Sequence, residues 1–253
     1  HRDLHKEYRR QRQMCIRDRG HAGGVTAFAT RDARGGAVGS VLTGDAAGVV
    51  RAWDPRHASA GPVALAHAHR GKVTCLAPLQ LSDSTASAGE DGVVRVLRLD
   101  GESGGDICLS GHLSDITSLA VLQDETRGRE PVGVIASGSA DGELCLWSGG
   151  DLIEDARRPW RCVSKSRAHV GAVTAVTPLD DSRTDVAGSA GEDGAVRAVA
   201  LDGGGGRGIG GGFGGGRGCL IGHLGPVRAL AAVRGVDAPG AGNESVYQSL
   251  ADE

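Results

Sequence analysis

Aromatic residues are scarce: three Trp, two Tyr and two Phe make up 3% of the 253 residues. A core must therefore come from Val, Leu, Ile and Ala, and an apolar share of 40% is enough for one. No apolar run approaches the ~18 residues a membrane-spanning helix needs, so no membrane insertion is expected. The six Cys contain no C-x-x-C pair, which removes the usual zinc and dithiol spacings. Eight Pro and no three-residue Gly period exclude a collagen-like chain. A formal net charge of -3 gives no overall attraction to nucleic acid or acidic lipid. Gly71-Lys72 is followed by Val73, so no P-loop is present.

Glycine, by contrast, is abundant, at 43 residues. Each Gly in a helix interior costs about 1 kcal/mol relative to Ala, so this composition points to sheets and turns. One block, 203–218, holds 12 Gly interrupted by Arg207, Ile209, Phe213 and Arg217. It has too little apolar surface to offset its ordering entropy and reads as a disordered loop. Its Arg-Gly pairs allow a second reading, a weak RNA-binding segment.

The other glycines follow a repeat. His21, His69, His112, His169 and His223 are spaced by 48, 43, 57 and 54 residues. Four positions after each stands Val25, Val73, Ile116, Val173 or Val227, and three further on Phe28, Leu76, Leu119, Val176 or Leu230. Each unit continues with a run ending in Ser or Thr, a turn, a second Val-rich run and a short last run before the next His. Ser87–Leu97, Val134–Trp147 and Ser189–Val199 carry Asp-Gly at that turn. Asp-Gly between apolar runs marks a tight hairpin, because Gly reaches positive φ without a Cβ clash. Each unit is therefore a four-stranded antiparallel meander, and the chain is all-β.

These residues resemble the WD40 repeat family. Gly20-His21, Gly111-His112 and Gly222-His223 match its Gly-His anchor, Ala68-His69 and Ala168-His169 are variants, and Trp53-Asp54 and Trp147 match its Trp-Asp anchor. The resemblance implies a WD40-type β-propeller, here a partial ring of four-stranded antiparallel blades. The units fall at about 20–67, 68–110, 111–167, 168–221 and, in part, 222–253. The missing blades are expected from the rest of a longer native chain, and 20–253 alone is expected to be poorly soluble. Residues 1–19 are read as a non-native leader, because Arg9–Arg19 resembles a translated sequencing adapter.

In this family the His, the Ser/Thr, the turn Asp and the Trp form a buried hydrogen-bonded chain. Carried over, that network comprises His21, Thr43 and Trp53; His69, Ser87 and Asp91; His112, Ser137, Asp141 and Trp147; His169, Ser189 and Asp193; and His223. Leu97 and Val199 replace Trp in units two and four, and Ala47 stands where Asp belongs in unit one. Unit three, with the full set, is expected to be the most rigid, with Asp141 as the buried partner of His112. The Cys read as small buried apolar residues, and their spread through a repeat fold points to an intracellular, cytoplasmic or nuclear setting.

The resemblance implies an interaction platform without catalytic residues, metal or cofactor. Its partners are proteins or peptides, and nucleic acid is not expected among them. The partner-facing rim is placed at Arg70, Lys72, Glu90, Ser114, Asp115 and Glu192, with no large aromatic anchor beside them. An alternative is an accessory propeller of a regulatory enzyme such as a kinase, a ubiquitin ligase or a trafficking protein. Trp160 is a spare ring that either docks a partner or, as favoured here, covers a blade edge.

Overall fold

The computed structural model describes residues 20–21, 23–31, 39–79, 84–99, 106–124, 132–150, 159–179, 186–200, 219–221, 223–232 and 247–250. Residues 1–19, read above as a leader, and the Gly-rich block 203–218 lie outside these residues. Four antiparallel sheets of four strands follow one another along the chain, then a two-stranded piece. The first holds β1 (Val25–Arg31), β2 (Ser40–Asp45), β3 (Val49–Trp53) and β4 (Ala64–His67). The second holds β5 (Val73–Pro78), β6 (Ser84–Gly89), β7 (Val93–Arg98) and β8 (Ile107–Ser110). In the third are β9 (Ile116–Asp124), β10 (Val132–Ser139), β11 (Glu143–Gly150) and β12 (Arg161–Arg167), and in the fourth β13 (Val173–Pro178), β14 (Val186–Gly191), β15 (Ala195–Ala200) and β16 (Cys219–Ile221). β17 (Ala229–Ala232) pairs with β18 (Tyr247–Leu250).

Strand order follows chain order in every sheet, as the meander reading requires. The tight turns after β2, β6, β10 and β14 place Gly48, Gly92, Gly142 and Gly194 at φ of 81°, 69°, 85° and 71°. These left-handed conformations are costly for any residue with a Cβ. Among the described residues the one helical element is a 3-10 turn, Pro55–Ala60, capped where the Asp54 carboxylate accepts from the Arg56 amide.

The first strands of successive sheets pack in sequence, β1 on β5, β5 on β9, β9 on β13 and β13 on β17. The core therefore lies in layers between sheets, the arrangement of propeller blades around an axis. Leu42, Val50, Val73 and Leu97 fill the first layer. Ala86, Val94, Ile116, Ile135 and Trp147 fill the second, and Leu122, Leu144, Val173 and Ala187 the third. Leu76, Leu119 and Leu230 each pack into the layer shared with the preceding sheet, whereas Phe28, in the same position on β1, is exposed. Trp160 is half-buried against the second layer with its ring over Gly149, a covering role.

The residue before each His follows the ring beneath it. A Cβ on Gly20 would stand 2.0 Å from Trp53, and one on Gly111 would stand 2.8 Å from Trp147. Ala68 and Ala168 occupy this position in the units where Leu97 and Val199 replace the indole. Gly and Trp are thus one packing solution, Ala and an aliphatic residue another. Gly111→Ala is expected to destabilise the full chain by about 1–3 kcal/mol through overpacking. Combined with Trp147→Leu it should cost clearly less than the two single changes added together. Urea unfolding of the four proteins checks this, and strict additivity would contradict it.

Candidate functional site

The network residues meet at one end of each sheet. In the second sheet His69 Nδ1 lies 2.9 Å from Asp91 Oδ1 and Nε2 lies 2.8 Å from Ser87 Oγ. The fourth repeats this, with His169 2.8 Å from Asp193 and 3.0 Å from Ser189. Burial pushes the imidazoles of His69 and His169 below the usual range, against the pull of their carboxylates. A neutral ring donates from Nδ1 to Asp and accepts at Nε2 from the hydroxyl. Burial also acts to raise Asp91 and Asp193, but hydrogen bonds from the imidazole and from backbone amides hold both below the carboxylate range.

The first sheet corrects the reading of Ala47. Asp45, fully buried at the end of β2, supplies the carboxylate from two residues earlier. Its Oδ2 is 2.8 Å from His21 Nδ1, and its Oδ1 accepts the amides of Ala47 and Val49 at 2.9 and 3.0 Å. Arg51 Nη1 donates to the same carboxylate at 2.7 Å. Hydrogen bonds from His21, Val49, Arg51 and Ala47 together overcome the burial that would raise Asp45, and hold it well below the usual range. Thr43 accepts the Trp53 indole N–H at 2.7 Å and lies 2.6 Å from His21 Nε2. Sequence reasoning missed Asp45 and the cation. The available signal was an Arg repeated at 51, 95 and 197, three residues after each turn Gly. Arg197 donates to Asp193 at 2.9 Å.

The third sheet departs from its expected pairing. Ser137 accepts the Trp147 N–H at 2.8 Å and lies 2.7 Å from His112 Nε2, but Asp141 does not bond His112. It accepts the Ser139 hydroxyl and the Glu143 amide instead, and these bonds, set against burial, hold it below the usual range. His112 Nδ1 faces the Cys145 thiol at 3.9 Å. Cys145 stands in the Arg position, and burial pushes its thiol up to about 12. The cation comes from Lys165 on β12, which donates to the Gly111 carbonyl at 2.7 Å and forms a 2.7 Å ion pair with Glu143. His223 is half-buried before β17, and the rest of its set lies outside the described residues.

Two cysteines also differ from expectation. Cys108 and Cys162 are exposed rather than buried, because both sit on the last strand of a sheet, where one face meets solvent. Cys145 is buried and Cys75 half-buried, and the burial of Cys219 lies outside the description. Among the described residues, no three His, Cys, Asp or Glu side chains are grouped to hold a metal ion, and no helix is long and apolar enough to cross a membrane.

The rim residues lie on the loops and turns that this network braces. Arg70, Lys72, Glu90, Asp115 and Glu192 are exposed, and Ser114 is half-buried. Glu90 Oε2 accepts the Lys72 amide at 3.3 Å, and Glu192 Oε2 accepts that of Ala172 at 3.0 Å. The Ala140 amide donates to the Asp115 carbonyl at 2.9 Å. Each loop also touches the preceding turn, since Gly92 lies against the His112 and Ser114 carbonyls and Gly142 against those of His169 and Gly171. Sequence reasoning missed the apolar members of this rim. Leu113, Val170 and Leu224, each following its His directly, are 89%, 75% and fully exposed.

A family model described as "WD domain, G-beta repeat" matches residues 107–148. The computationally designed Ika4 protein is 23% identical, with a TM-score of 0.53 over 72% of this chain and 94% of that one. U3-55K is 19% identical, with a TM-score of 0.58 over 84% and 56%. The RRP9 WD40 repeats are 20% identical, with a TM-score of 0.53 over 71% and 49%. At these identities the likeness is one of fold, and the chain spans about half the length of the last two. No curated protein matches the chain.

Two expectations follow from the site. Asp45→Ala leaves Arg51 and His21 without their carboxylate and should cost about 3 kcal/mol or more. Asp141→Ala, which removes bonds only to Ser139 and Glu143, should cost less. Chemical unfolding of the full chain orders the two, and an equal or reversed order would refute the pairing. The second expectation concerns pH. Unfolded His takes up a proton near pH ~6.5, whereas His69, His112 and His169 stay neutral in the fold to lower pH. The unfolded chain then binds more protons, so stability falls as pH drops from about 7 toward 5. A second loss begins below pH ~4, where unfolded Asp protonates but Asp45, Asp91, Asp141 and Asp193 remain ionised in the fold. A urea midpoint that stays flat from pH 7 to 5 would contradict the first step.

Proposed function

We propose that this chain, which carries a WD40 repeat at 107–148 and has the WD40 propeller fold, is a non-catalytic scaffold that holds a protein or peptide inside the cell. The observation that carries this reading is the division of labour at the rim. The His, Asp, Ser and Thr side chains of the network are engaged in bonds within the first, second and fourth sheets. The side chains between them, Arg70, Lys72, Glu90, Asp115 and Glu192, are presented to solvent on fixed backbone. Charge placed this way sets association rate and selectivity more than affinity.

Cross-linking mass spectrometry on the full chain in cells tests the proposal. Replacing Arg70, Lys72 and Glu90 together by Ala should leave stability within about 1 kcal/mol, since these are surface positions. It should also deplete the cross-linked proteins recovered with the unmodified chain. Recovery that is indifferent to the rim changes would overturn the assignment.

A further inference from the structure

The rim is not uniform around its arc. On the second sheet its loop carries Arg70 and Lys72, with Lys72 Nζ 4.0 Å from Glu90. From the third sheet onward the character changes. The loop and turn segments 111–115, 140–142, 168–172, 192–194 and 223–226 contain no Lys or Arg, and the two cations that reach them from neighbouring strands are paired, Lys165 at the Gly111 carbonyl with Glu143 and Arg197 with Asp193. They present Leu113, Val170 and Leu224 to solvent from equivalent positions on three consecutive units. Two exposed carboxylates, Asp115 and Glu192, stand among them. Neither has an ion-pair partner among the described residues, and Glu192 accepts only the Ala172 amide. A row of exposed aliphatic side chains at equivalent positions of successive units offers an interaction surface, and unpaired carboxylates on the same loops and turns select a cationic counterpart.

We infer that this arc, Leu113–Asp115, Val170, Glu192 and Leu224, docks a peptide segment in which aliphatic residues are interleaved with Lys or Arg. The inference rests on the scaffold reading above and adds the chemistry of the partner. The aliphatic side chains of the segment cover Leu113, Val170 and Leu224, and its cations meet Asp115 and Glu192. Arg70, next along the rim beyond Glu90, sets the end at which a further cation is disfavoured. Backbone contacts between each loop and the preceding turn fix the backbone that carries the three aliphatic side chains, so little backbone ordering is lost on docking.

The test is selection of short random peptides displayed on phage against the immobilised full chain, followed by affinity measurement of the enriched peptides. Enriched sequences should combine Leu, Ile or Val with Lys or Arg. Their binding should weaken by at least about fivefold on Leu113→Ser and on Val170→Ser. Asp115→Asn with Glu192→Gln should also weaken it, and should remove most of its salt dependence. Val63→Ser with Leu65→Ser, exposed apolar positions at and beside β4, serves as the control and should leave binding unchanged. Peptides that bind but are acidic, or that ignore the arc and respond to the control, would overturn this surface and leave the scaffold reading intact. A chain that enriches no peptide would count against both.

Discussion

The structure depends on one joint, the histidine at the entrance to each sheet. Its backbone belongs to the preceding turn: the amides of Ala68 and His69 both donate to the Gly48 carbonyl at 3.0 Å, and those of Ala168 and His169 to the Gly142 carbonyl at 2.9 and 3.1 Å. Its ring belongs to the following sheet, where it lies between a hydroxyl and a carboxylate. One residue therefore fixes the spacing between two sheets and the turn within the second. A buried imidazole is tolerable only when both nitrogens find partners, which is why the hydroxyl and the acid recur with it.

What recurs is the constraint rather than the residues. The carboxylate comes from the turn in Asp91 and Asp193 but from the strand end in Asp45. A third-strand cation bonds the carboxylate in the first and fourth sheets, through Arg51 and Arg197, whereas Arg95 donates to Cys108 and the third sheet has Lys165 on the Gly111 carbonyl. The hydroxyl is shared with an indole in two units, and those same units have Gly before the His. The sheet with the most complete set of expected residue types, the third, is the one in which the His–Asp bond is missing. Completeness of a motif in sequence is thus a poor measure of local bonding, since Cys145 in the Arg position changes what His112 faces.

This bears on what could be read without coordinates. The strand order followed from the His-to-His register and the turn glycines, because both are set by backbone geometry with a fixed period, and the propeller arrangement followed from the family resemblance. Asp45 did not, because a carboxylate can reach the same nitrogen from two different backbone positions and a one-dimensional alignment scores only one. Exposure of Cys108 and Cys162 was hidden for a related reason: a last strand buries one face, and neither Ile107–Ser110 nor Arg161–Arg167 alternates apolar and polar residues clearly enough to reveal which. The exposure of Leu113, Val170 and Leu224 was not legible because apolar side chains in a sheet protein are ordinarily core, although with Arg70 they occupy one column of the same repeat, directly after the His.

That column explains how one scaffold can present different surfaces. The residue after each His is flanked by fixed points, the ring on one side and a loop carbonyl held against the preceding turn on the other. Its own side chain makes no bond that the fold requires, so Arg70, Leu113, Val170 and Leu224 differ in charge and shape at nearly constant backbone geometry. The hydrogen-bonded interior cannot vary one member without stranding another, whereas the rim can vary freely. Under the proposed scaffold role, selectivity would therefore reside at the positions least constrained by the network, on the backbone most precisely placed by it.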